Sequence, residues 1–357
     1  MRPDDWHLTE DVHEFLSRAG DFLRSRPALH TMQLTVTEKH RANGTPTPGT
    51  TPNGTPAPGT TANGTPANGT TANRTPADGT PSNATSSHRP ETPVFGRLEH
   101  DGEVHAGFYH RSPTGPLSLT SVTPEQADAL AARLADLGHP VPGVSSDHDA
   151  SSAFAEAWQR RTGAEPVVTT RLHLYRLGTL TPPDPFPEGR GRVVGEQDRE
   201  QVVRWCREFC VDVGEQYSID LIDAGAWTES RFGDRNFTFW ETPDGTPVSM
   251  AAATSIVGGM VRVDPVYTPR QLRGRGYAAA VTVETSRAAL AAGAKEVVLF
   301  TDPGNPTSNA LYQRLGYVRL TDFTVYEFTS APSPSPSSAL SSSSSPSPSP
   351  SPSPSPS

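Results

Sequence analysis

Arg273-Gly274-Arg275-Gly276-Tyr277-Ala278 is the stretch of this chain whose residue types point most directly to chemistry. It joins an apolar segment, Met260 to Thr268, to an alanine-rich run ending near Gly293, so the sequence predicts a strand, a glycine turn and a helix. Such a turn aims several backbone N–H groups and a helix dipole at one point, which suits a pyrophosphate. Gly274 and Gly276 have no Cβ, so the backbone can take positive φ and approach a ligand closely. Arg273 and Arg275 add charge for phosphate oxygens. An isolated RGRG is usually only a mobile basic loop; the flanking strand and helix argue against that here. A P-loop is excluded because no Gly-Lys-Ser/Thr follows, and G-x-G-x-x-G is absent. Pro265 cannot donate to a sheet ladder, so the preceding strand either bulges there or lies at an edge. In the next predicted helix Asn305 stands before Pro306 as an N-cap, and Tyr312 follows seven residues later beside Leu311 and Leu315.

The elements that must position these groups are marked along the chain. Trp6 to Leu8 opens a short strand, Thr9 is read as the cap of a helix carrying Val12, Phe15, Leu16, Ala19 and Leu23, and a second helix covers Leu29 to His40. Val94 to His110 reads as a hairpin turning at Asp101-Gly102. A strand over Leu117 to Val122 leads into Thr123-Pro124-Glu125-Gln126, a capping box with Pro at the first helical position, and that helix ends near Gly138. A helix from Ala150 to Arg161 and a strand from Val167 to Leu177 complete the first half. Residues 181–189 are Pro-rich and read as a stiff linker. Beyond it come a strand at Arg192 to Val194, helices at Gln197 to Val211 and Ile219 to Phe232, a hairpin around Asp244-Gly245, the stretch described above, and a last strand from Thr324 to Thr329.

Two segments do not read as folded. Residues 42–92 repeat NGTP-like units with almost no apolar side chains, and 331–357 are Ser/Pro repeats; neither can offset chain entropy by burial. Six N-x-T sequons in the first of them read as repeat expansion. The division expected is therefore 1–180 with the insertion, 181–189 as linker, 190–330, and 331–357 as tail. A net charge of -9 argues against nucleic acid or an anionic membrane as the main partner. No apolar run reaches the roughly 20 residues of a spanning helix, and the N-terminus lacks signal-peptide features, so a cytoplasmic protein is expected. Cys206 and Cys210, at i and i+4 with no histidine nearby, read as structural, and no metal is expected.

VYTPRQLRGRGYA and NPTSNALYQRLGY together resemble the acetyl-CoA site of the GCN5-related N-acetyltransferase (GNAT) family. The resemblance is specific from about Val261 to Tyr317 and reasonable over residues 190–329. It implies an α/β fold with a mixed, mostly antiparallel sheet flanked by helices and a splayed, bulged central strand. It implies that the pantetheine arm of acetyl-CoA pairs with backbone groups of Val266, Tyr267 and Thr268, and that residues 273–278 and Asn305 also meet it. Tyr312 matches the family's general acid; a reference pKa of about 10 lets it remain protonated and serve a departing thiolate. The plain alternative for Tyr312 is packing. The acceptor is then a primary amine, which must lose a proton. All eleven histidines lie between His7 and His173, so within the second half a carboxylate is the substitute: Asp264 is preferred over Glu241, Glu229 and Asp220. The first half has a compatible element order but no glycine turn in SLTSVTPEQADALAARLA, which suggests a degenerate lobe in a tandem architecture that shapes the cleft. Its oligomeric state is open, a monomer with tandem lobes being the simplest form. Two other readings stay open: a non-catalytic acyl-CoA-binding or sensor module, and a scaffold acting through its repeats.

Overall fold

In the computed structural model the described residues are 5–42, 92–112, 115–223 and 235–329; the insertion and the tail lie outside them. The first half runs β1 (Asp5–Thr9), α1 (Val12–Ser25), α2 (Thr31–Ala42), β2 (Thr92–His100), β3 (Glu103–Ser112), β4 (Leu117–Leu119), α3 (Pro124–Asp136), β5 (Gly143–Asp147), α4 (His148–Thr162) and β6 (Glu165–Leu177). The second half repeats that order: β7 (Arg190–Val193), α5 (Arg199–Val213), α6 (Gln216–Asp223), β8 (Arg235–Glu241), β9 (Pro247–Thr254), β10 (Met260–Tyr267), α7 (Tyr277–Ala291), β11 (Glu296–Thr301), α8 (Pro306–Arg314) and β12 (Tyr317–Thr329). The chain is an internal repeat of one α/β unit.

Local signals account for most of these elements. Asp101 (φ 51°) and Gly102 (φ 83°) make the tight turn of the β2–β3 hairpin. Thr123 and Gln126 close the capping box of α3. The cap of α1 is Asp11, not Thr9: the Asp11 carboxylate accepts from the amides of His13 and Glu14, while Thr9 Oγ1 accepts from Asp11 N and donates to Glu14. The strand expected over 117–122 stops at Leu119. The second helix of the repeat starts at Gln216, and the rest of the expected range, through 232, falls in 224–234, outside the described residues. The closing strand is longer than expected and begins at Tyr317.

All twelve strands form one sheet, ordered β1-β2-β3-β4-β5-β12-β6-β11-β10-β9-β8-β7. Only β4–β5 and β10–β11 are parallel; the other pairs are antiparallel. The two halves exchange their last strands. β6 lies between β11 and β12, and β12 pairs with β5 on its other edge. The 178–189 segment then packs back on the second half. Gly178 N donates to Gly316 O (2.9 Å), Thr181 N to Leu315 O (3.0 Å), and Phe186 meets Trp240 edge to face.

The faces of the sheet are covered differently. On one, Val261, Val263, Val297, Leu299, Tyr175 and Tyr317 pack beneath α7 and α8. On the other, Met260, Val298, Leu174 and Phe323 meet Ala28 and Leu29 from the α1–α2 corner. Among the described residues no helix is long and apolar enough to cross a membrane.

Candidate functional site

β10 and β11 run together only from Met260 to Arg262 against Glu296 to Val298. Beyond that point they part. On its other edge β10 shifts register against β9 between Val263 and Val266, so Asp264 and Pro265 form a bulge in an interior strand. The proline explains this directly, because it has no N–H to give to a ladder. The result is a V-shaped opening bordered by the 264–267 edge of β10 and the free edge of Leu299–Thr301. Beside it Ser249 Oγ donates to Tyr267 O (2.9 Å) and bonds Thr268 Oγ1 (2.8 Å), fixing the end of the strand. The Tyr267 side chain points away, into the core under α5, where its hydroxyl donates to Glu208 (2.8 Å).

The glycine turn follows. Gly274 (φ 77°) and Gly276 (φ 80°) are both left-handed. A Cβ on Gly274 would meet nothing within 4 Å, so the turn faces open space there, whereas one on Gly276 would lie 2.9 Å from Pro187. Gly276 is the N-cap of α7 and offers no side chain; the first helical bond runs from Ala280 N to Gly276 O. The amides of Tyr277, Ala278 and Ala279 therefore have no acceptor within the helix. Arg273 braces the turn: its Nε donates to Thr268 O (2.9 Å), and it and Arg270 both pair with Asp212 of α5. Of the two arginines in the motif, Arg275 is the one with no such tie among the described residues.

The first half has the same place in its fold and closes it. Ser146 Oγ donates to Leu119 O (2.8 Å) and Ser121 Oγ to Asp147 (2.7 Å), stitching β4 to β5 where β10 and β11 separate. The start of α3 is satisfied by its own side chains: Gln126 N donates to Thr123 Oγ1 and Thr123 N to Gln126 Oε1, and Pro124 has no N–H. One lobe leaves its helix start and strand gap open; the other fills both.

Asn305 caps α8, its Oδ1 accepting from Ser308 N (3.0 Å). Tyr312, 8% exposed, lies in the core under α7 with its ring edge to face on Tyr317, centroids 6.0 Å apart. Burial pushes its hydroxyl pKa up, and neighbouring Tyr317 and the Asp264 carboxylate push it further. Asp264 itself accepts from Arg235 (2.9 Å) and lines a cavity of about 80 Å³ with Cys206, Cys210, Glu215 and Ser218. Of the other carboxylates, Glu241 is clamped by Arg192 (2.5 Å) and Arg190, Asp220 is exposed on α6, and Glu229 lies outside the described residues. No three His, Cys, Asp or Glu side chains converge on a metal site among the described residues.

One positioning group is contributed from the first half. Tyr175 of β6 donates its hydroxyl to Asn309 Oδ1 (3.1 Å) and accepts from Gln313 Nε2 (3.1 Å), holding α8 on both sides of Tyr312. Nothing local in the sequence signals this, because it depends on β6 crossing into the other lobe.

Residues 199–317 match the model of the acetyltransferase (GNAT) family. No curated protein matches the chain in sequence. Solved structures similar to it include GCN5-related N-acetyltransferases from Kribbella flavida (19% identity, TM-score 0.44, covering 62% of this chain and 86% of that one) and from Sphaerobacter thermophilus (20%, 0.43, 66% and 79%). A tandem GNAT protein from the clavulanic acid biosynthesis pathway is 14% identical with a TM-score of 0.44, covering 68% of this chain and 84% of that one. The uncapped glycine turn, the strand gap beside it and the family match coincide in the second half, and residues 199–317 are a GNAT-family acetyltransferase domain.

Proposed function

We propose that the chain transfers an acetyl group from acetyl-CoA to a primary amine by direct attack, with one acetyl-CoA held per chain in the 190–330 half. The observation that supports this is the contrast between the lobes: β10 and β11 part beside an uncapped α7, whereas β4 and β5 are stitched together beside a fully capped α3. Backbone groups of Val266, Tyr267 and Thr268 and the amides from Gly274 to Ala278, with Arg275, would hold the cofactor. Acetyl-CoA brings the acetyl group as a thioester. Arg273 acts by bracing the turn, and Asn305 by fixing the start of α8.

Tyr312 keeps its proton at any physiological pH and gives it to the departing sulfur. Asp264, on the far side of the opening, takes up the proton of the attacking amine or steers that amine through water. The 1–180 half, its own cleft filled, serves to shape the site. Calorimetry on the full chain tests the first step: one acetyl-CoA per chain is expected, and absence of binding overturns the assignment. The Asp264–Arg235 pair favours the second reading, an acyl-CoA-binding module, because a carboxylate already engaged by an arginine has less to offer a proton. Amine-dependent thiol release separates the two; binding without release supports the module.

A further inference from the structure

The cofactor-binding groups proposed above, α7's open start and Tyr312, lie on one face of the sheet, so an acceptor reaches the gap between β10 and β11 from the other. On that face the β11 side of the gap is apolar. Phe300 on the free edge of β11 is half-buried and stands edge to face on Phe323, centroids 5.2 Å apart, with half-buried Leu172 and Leu320 beside them. The α1–α2 corner of the first half closes one side: Leu29 packs on this cluster, Met32 Sδ accepts from Arg262 (3.0 Å), and Ala28 N donates to Glu296 (3.0 Å). Asp264 borders the opposite side of the gap, its side chain 42% exposed.

We infer, resting on the acetyltransferase reading, that the acceptor is an alkyl- or arylalkylamine: its hydrocarbon body lies on Phe300 and Leu172, and its nitrogen reaches the gap beside Asp264. The first half supplies part of the binding wall, through Leu29 and Leu172. A half-exposed aromatic beside an opening is apolar surface that a substrate can cover, and covering it favours an apolar ligand over a hydrated polycation. A cavity of about 460 Å³ does lie beyond Leu320, lined in part by Asp147 and Asp322. Those two carboxylates are already engaged: Asp147 accepts from Ser121 and Ala150 N, and Asp322 pairs with Arg319 and His173. Asp149 is the third carboxylate of that lining, and Arg319 in the same lining adds positive charge that a polyamine would meet there.

The test uses the full chain with saturating acetyl-CoA and thiol release from phenethylamine, hexylamine, spermidine and an aminoglycoside. Phenethylamine and hexylamine should exceed the two polycations in kcat/KM by at least about tenfold, the scale of one apolar contact. Phe300→Ala should raise KM for phenethylamine roughly 10- to 100-fold while acetyl-CoA affinity stays unchanged. Phe300→Leu keeps the site apolar, guards against misfolding of the first variant, and should show a smaller rise in the same direction. Acetyl-CoA affinity and a melting curve report the fold of each. Preference for spermidine or the aminoglycoside, or an unchanged KM in both variants, overturns the inference and leaves the acetyltransferase reading standing. Acetyl-CoA binding with no turnover of any amine overturns both.

Discussion

Because the last strands are exchanged, the half that matches the GNAT family should not stand alone. A fragment of residues 185–330 contains every residue proposed to hold the cofactor or move a proton but lacks β6, with Leu172 and Tyr175. In the intact chain β6 is the neighbour of β11 from Val298 to Thr301 and of β12 along its whole length. It buries Leu174 and Tyr175 completely, and Tyr175 holds α8 through Asn309 and Gln313. Burying side chains of that size contributes roughly 2 kcal/mol each, and each ladder or side-chain hydrogen bond adds on the order of 1 kcal/mol. Removing the strand therefore costs about 10 kcal/mol or more, as much as the whole stability of a typical domain. Circular dichroism with heating, and acetyl-CoA calorimetry, are the assays. The fragment should show no cooperative melt and no binding, and residues 1–180 co-produced with 181–357 should restore both. A 185–330 fragment that melts cooperatively and binds acetyl-CoA as tightly as the full chain would refute the exchange.

Three other outcomes follow from the site and its surroundings. Gly276→Ala puts a β-carbon at φ 80° and against Pro187; the backbone strain alone is about 1–2 kcal/mol, so calorimetry should find acetyl-CoA affinity lowered at least tenfold. Tyr312→Phe should lower kcat by roughly 100-fold, the usual scale of a lost general acid, with acetyl-CoA affinity nearly unchanged; an unaltered kcat removes Tyr312 from the chemistry. His110, fully buried against His139 and Gly115 O, is lowered to about 4, by burial first and by His139 second. Its folded value lies below the unfolded one of about 6.5, so the stability it contributes is present above that pH and is lost as pH falls toward 4. The melting temperature should drop across that window, and a His110→Gln variant should show a shallower drop.

The local parts of the fold were legible because each depends on neighbours in sequence. Thr123-Pro124-Glu125-Gln126, Asp101-Gly102 and the Gly274–Gly276 turn all have the conformations their residue types favour. Pro265 marked the bulge because it removes one donor at one position. Where two residues could do one job the choice was not visible: Thr9 and Asp11 are both good caps, and Asp11 prevails because its carboxylate reaches two amides. The closing strand was read short because Arg319, Thr321 and Asp322 break its apolar pattern. In the structure Asp322 pairs with His173 of β6 as well as with Arg319 of its own strand, so that position is polar partly for a reason that lies on another strand.

Strand order was not legible at all, and it changes what the first half is for. Periodicity says that Val167 to Leu177 is a strand, but a strand's edges do not name the neighbours they will take. Dividing the chain at its Pro-rich segment assigns His173 and Tyr175 to a lobe without a cofactor site. The sheet instead sets His173 opposite Thr301 and Tyr175 opposite Leu299, on the strand that borders the gap. A repeat that has stitched its own cleft shut would be free to lose its remaining structure if it only sat beside the lobe with the open one. It cannot do so while its last strand forms the wall of that lobe's sheet and the clamp on the helix of Tyr312. The exchange makes the stitched cleft and the open one parts of a single folding unit, and this is a physical reason for the first half to persist beside the proposed cofactor site.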